Sequence, residues 1–145
     1  MYDIVIKVHY IVSSIFFALA LIITIWAVIG WAKNLKGGRA FNRLSFFFIH
    51  FLYIQLITGI ALYFFLEPET KFSGVTMEQA AEQNELRFWA IEHVSLMLFA
   101  LLLSQVGRLF IKQLNSDRKK FRAATLYFGV SFIVVLTSAA LALFR

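Results

Sequence analysis

Residues 88–111 read FWAIEHVSLMLFALLLSQVGRLFI. At ~1.5 Å of rise per residue, a helix of this length crosses the ~30 Å hydrocarbon layer of a bilayer. Yet an ionisable pair, Glu92 and His93, stands within its first turns. Working outward, three further apolar runs flank it, over residues 4–31, 44–66 and 123–144. The expected fold is all-α, an integral membrane four-helix bundle of up-down topology filling a single transmembrane domain over residues 1–145.

Composition agrees. The chain is 61% hydrophobic, 17% aromatic and only 15% charged, with a mean hydropathy of +0.78. A soluble domain this small cannot bury so much apolar surface, so the excess must face lipid. That excludes a soluble enzyme and a disordered chain. The absence of cysteine excludes thiol chemistry and zinc-thiolate sites. The first run is expected to be a retained span: it exceeds a signal peptide in length, lacks a small-residue cleavage site and opens with Asp3 and Lys7.

Basic residues divide unevenly between the connections. Lys33, Lys36, Arg39 and Arg43 follow the first span, and Lys112, Arg118, Lys119, Lys120 and Arg122 follow the third. The stretch from Glu67 to Arg87 carries Lys71 and Arg87 against five glutamates. The positive-inside rule then puts the two basic connections in the cytoplasm of a bacterial inner membrane, with both termini and the acidic connection outside. The net charge of +6 is explained by topology and anionic headgroups, with no nucleic acid partner required. In the acidic connection, Pro68 reads as a helix stop, and Thr76-Met77-Glu78-Gln79 reads as a capping box opening a short helix towards the third span. Trp26, Trp31, Tyr63, Phe88 and Trp89 fall near the span boundaries, where an aromatic belt is expected.

Ionisable groups inside a hydrocarbon layer are costly, which makes each a candidate functional residue. They are His9, His50, Glu92 and His93, with Tyr53, Gln55 and Gln105 as neutral polar neighbours. Counting helix rise from the outer surface, His9 and His93 differ in depth by about 4 Å, whereas His50 lies about 15 Å deeper. His9 and His93 can therefore serve one metal between them, as axial ligands of a b-type haem. His9, Ser13, Ala20, Thr24 and Ala27 form one stripe, and His93, Met97, Ala100 and Ser104 another. Gln55 and Gly59 add a side from the second span. Such small residues either let helices approach closely or leave a slot for a flat cofactor. Each candidate also has an ordinary reading. His9 suits an interfacial position, and His50 suits a hydrogen bond to its surroundings. Glu92 suits either a partner of an imidazole or a first-turn acid, and Arg87 either a propionate contact or a boundary anchor.

Two segments, Ile54-Gln55-Leu56-Ile57-Thr58-Gly59-Ile60-Ala61-Leu62-Tyr63-Phe64 and Leu86-Arg87-Phe88-Trp89-Ala90-Ile91-Glu92-His93, resemble the small four-span proteins of Bacteroidetes-type bacteria labelled cytochrome b or cytochrome b-like. Lys7-Val8-His9-Tyr10 and the basic stretch after Gly107-Arg108 fit as well. The chain departs from that pattern in the second span, where Tyr53 stands at a position the family favours for histidine and His50 lies one turn earlier. The resemblance implies haem b in the bundle, His9 and His93 as ligands, and electron transfer between a quinone or periplasmic donor and a membrane partner. Two other classes stand beside it: a haem-free structural subunit or assembly factor of a larger membrane complex, and a quinone-coupled enzyme acting on a tetrapyrrole. Copper transport lacks soft ligands, with three Met and no Cys.

Overall fold

The computed structural model describes residues 2–64, 77–82 and 84–144. The fold is an all-α bundle with four helices long and apolar enough to cross a membrane. Helix α1 runs Tyr2–Ala32 and α2 runs Arg39–Phe64. The short helices α3, Met77–Glu82, and α4, Asn84–Arg87, lead into a π-helical turn at Phe88–His93. The third span continues as α5, Val94–Gln113, and α6 covers Asp117–Leu143. Helix α3 stands where the short external helix is expected; Pro68 and the Thr76 position of the capping box lie outside the described residues.

Two helices begin ahead of their apolar runs, α2 at Arg39 and α6 at Asp117. Lysine and arginine are good helix formers, so apolarity marks the part in lipid and not the end of the helix. The end of α1 shows the opposite effect. Asn34 has φ 54, and the amide of Leu35 donates to Gly30 O at 3.0 Å, the six-to-one bond of a Schellman stop. Asparagine tolerates the left-handed region well enough to end the helix ahead of the Gly37-Gly38 pair.

Helix α1 packs against α2 and α6, and α5 against α6 and more briefly α2, which leaves α1 and α5 on a diagonal. Aromatic side chains fill the middle: Phe16 stacks on Phe48 at 5.3 Å, and Phe48 lies 5.1 Å from Phe128. Nearer the basic end, Phe41 meets Phe121 edge-on at 4.8 Å and Trp26 at 5.8 Å. Outward-facing Leu, Ile and Phe, such as Leu102 and Ile133, line the exterior as a lipid-facing surface requires. Phe88 departs from the aromatic-belt expectation: it is wholly buried, its ring against Trp89, whereas among the boundary aromatics with described side chains Trp31 and Trp89 are exposed and Trp26 is half-buried. The side chain of Tyr63 lies outside the described residues.

Candidate functional site

His9 stands in the second to third turn of α1, where it meets α2. Its Nδ1 lies 2.9 Å from Thr58 Oγ1, and its Nε2 lies 3.0 Å from Gln55 Nε2. The proton count follows from the partners. The Thr58 hydroxyl donates to the carbonyl of Ile54 at 3.0 Å, so it accepts from His9 Nδ1–H. His9 Nε2 is then the acceptor of one Gln55 amide proton. The second proton of that amide goes to Ser13 Oγ, and Ser13 in turn donates to the carbonyl of His9 at 2.7 Å. The ring lies along the backbone at Gly59, where an added Cβ would stand 3.5 Å from Cε1 of His9. One acceptor in this network is left over: Gln55 Oε1 is buried without a partner.

His93 closes the π-helical turn, a rare element that recurs at functional sites. Its Nδ1 lies 2.8 Å from Oγ of Ser138, a residue with no exposed surface, on α6. Its Nε2 makes no hydrogen bond to any described residue. The rings of Trp89 and Phe88 stand 5.4 and 6.0 Å from the imidazole. His9 lies on α1 and His93 at the start of α5, and these helices stand diagonally across the bundle.

The remaining candidates sit elsewhere. His50 faces outward, its Nδ1 on the carbonyl of Phe46 at 2.8 Å and its ring 3.7 Å from that of Phe46. Since His9 is level with Gln55 and Thr58, His50 stands five to eight residues away along α2, ~7.5–12 Å of rise, nearer than the ~15 Å expected. The shift arises because α1 sets His9 deeper along α2 than equal helix starts would. Arg87 donates from Nε to Glu92 Oε1 at 3.0 Å, at the partly exposed start of the third span. Tyr53 is exposed. Sequence reading gave no role to Ser138 and Thr58, the two hydroxyls that hold the imidazoles; both are ordinary hydroxyls in apolar helices, and only helix rotation distinguishes them.

No group of three or more His, Cys, Asp or Glu able to hold a bare cation occurs among the described residues. A metalloporphyrin asks for less, because its ring supplies four ligands and the protein two. The donor set fits on the His93 side in one tautomer: when Nδ1–H donates to Ser138, the Nε2 lone pair is free and the ring orientation is fixed. On the His9 side it fits once Nε2 exchanges its bond from Gln55, whose Oε1 already lacks a partner. Comparison of the chain with protein-family models, with curated proteins and with solved structures gave no match.

Proposed function

We propose that this chain is a haem b-binding protein of the bacterial cytoplasmic membrane, passing electrons between a quinone or periplasmic donor and a membrane partner. The observation that supports the reading is His93: an imidazole in a helix long and apolar enough to span a membrane, bonded at Nδ1 to the buried Ser138 hydroxyl, with Nε2 unengaged and the His9-bearing helix diagonally across the bundle. An intramembrane imidazole kept without a charged partner is expensive to retain for packing alone. His93 and His9 would hold the group through their ring nitrogens, and the group would supply one-electron chemistry.

The other residues have definite tasks in this reading. Ser138 and the π-helical turn orient the His93 ring, and Thr58 fixes the His9 tautomer. Gln55 holds His9 Nε2 in the ligand-free chain and would have to release it for a metal to bind there. The layer of Phe16, Phe48 and Phe128 closes the bundle below the site and excludes water from the basic end. With the basic connections in the cytoplasm, both termini and the histidine pair lie towards the outer face. Protein purified from haem-replete cells is expected to show a Soret band that shifts on dithionite reduction. A colourless preparation that gains no such band on haemin titration would overturn the reading.

A second reading has one observation in its favour. Both ring nitrogens of His9 are already satisfied within the chain, as in a polar clasp between α1 and α2. That suits a haem-free structural or accessory subunit of a membrane complex, and the same titration separates the two.

A further inference from the structure

At the opposite end of the bundle from His9 and His93, α2, α5 and α6 leave a cleft of about 260 Å³, several times the ~30 Å³ occupied by one water molecule. Asn42 and Ser45 line it from α2, Arg108 and Lys112 from α5, and Lys120 and Phe128 from α6. Three cations thus converge on one small volume, and none of them forms an ion pair with a described acidic residue. Arg108 is the telling member. It lies three residues before the end of the apolar run 88–111, ~4.5 Å inside it by helix rise. A guanidinium at that depth is costly unless it meets an anion or reaches water. Its guanidinium lies 5.2 Å from the centre of the Phe46 ring, on the exposed side of α2. Helices α2 and α5 pack against each other less extensively than the other neighbouring pairs, which makes their seam the side from which a lipid would reach the cleft.

We propose that this cleft binds the headgroup phosphate of an anionic phospholipid, with the acyl chains lying along the α2–α5 seam beside Phe46. A phosphate diester supplies the negative charge that Arg108, Lys112 and Lys120 lack, and the Asn42 amide donates to its remaining oxygens. The apolar seam selects a lipid over a soluble phosphate, because a free anion would leave Phe46 and the α2–α5 contact as they are. Arg108 then acts as a planar fork on the phosphate, and the two lysines act as point charges around it.

The test is lipid titration of the full-length protein in detergent, read by native mass spectrometry, with phosphatidylglycerol against phosphatidylcholine of identical acyl chains. Phosphatidylglycerol is expected to bind at least about tenfold more tightly, the scale that three cations near a lipid surface set. In the R108Q/K112Q/K120Q variant the preference falls to within about twofold. A control, R118Q/K119Q/R122Q, neutralises the separate cluster beside Trp31 and keeps the preference. Should the first variant fail to fold, K112Q/K120Q, which leaves Arg108, is expected to lose about half of the preference on a logarithmic scale. Equal binding of the two lipids would overturn the proposal, as would equal losses in both charge clusters. Displacement of phosphatidylglycerol by millimolar inorganic phosphate would assign the cleft to a soluble anion instead and overturn the lipid assignment.

Discussion

Ser138 Oγ lies 2.8 Å from Nδ1 of His93, a single bond that ties the π-helical turn of the third span to the last turns of the fourth. Because Ser138 has no exposed surface, water cannot replace it if the hydroxyl is removed. Ser138→Ala is therefore expected to weaken haemin binding about 10–100-fold, the usual effect of losing a group that orients a metal ligand. Without haem, the unpaired Nδ1 costs about 1–3 kcal/mol of stability. Haemin titration and thermal unfolding in detergent measure the two effects; an unchanged affinity would remove Ser138 from the site.

The histidines separate by location. His93→Ala and His9→Ala each remove one axial imidazole, so both are expected to abolish the low-spin haem spectrum or convert it to high spin. His50 points outward and leans on Phe46, and His50→Ala should leave that spectrum intact. A full low-spin spectrum in the His93 variant, or its loss in the His50 variant, would place the iron elsewhere.

The contrast between His93 and its partner shows how far the sequence can be read. Four spans are legible because apolar length alone answers to the bilayer, and the approximate level of His9 and His93 follows from counting rise. Rotation about the helix axis is another matter. It decides that Ser138, and not Thr137 beside it, reaches His93, and that Gln55 and Thr58 clasp His9 while Tyr53 faces outward. The amphipathic signal that normally fixes rotation is missing, because lipid-facing and interior positions are both apolar. The π-helical turn at Phe88–His93 left no mark in the sequence either. It carries Phe88 inside, where boundary position alone suggests an interfacial aromatic.

Sidedness can be read directly in a chain without cysteine. Single cysteines at Lys36 and Glu78 are expected to react differently in intact spheroplasts: position 78 with an impermeant maleimide, position 36 only after the membrane is opened. The reverse pattern would invert the bundle and put the histidine pair at the cytoplasmic face.

Close approach of α5 and α6 depends on Gly107, where an added Cβ would collide with Tyr127 Cβ and Cγ. Gly107→Ala should destabilise the bundle by about 1–3 kcal/mol, as overpacking does. Gly129 is the control, since a Cβ there meets nothing nearer than Thr24 Cγ2 at 3.7 Å. Gly129→Ala is expected to be neutral, or to stabilise by up to ~1 kcal/mol through helix propensity. Equal melting temperatures for the two variants in detergent would mean that the α5–α6 contact yields more readily than the structure implies.

Gln55 decides between the two functional readings, because it alone contacts the ring nitrogen that a metal would need. Its amide donates to His9 Nε2 and to Ser13, while its own Oε1 has no partner. Gln55→Leu preserves volume, removes both donated bonds and eliminates the orphaned acceptor. The ligand-free protein should lose about 1–2 kcal/mol, since two modest hydrogen bonds outweigh one relieved acceptor. If His9 ligates iron, the same substitution also removes the competitor for Nε2, so haemin affinity should rise several-fold even as the ligand-free chain becomes less stable. If the network is only a clasp between α1 and α2, stability falls and no haemin affinity emerges. Measuring both quantities on one preparation separates the outcomes, and a parallel fall in stability and haemin affinity would mean that Gln55 positions His9 for the metal instead of competing with it.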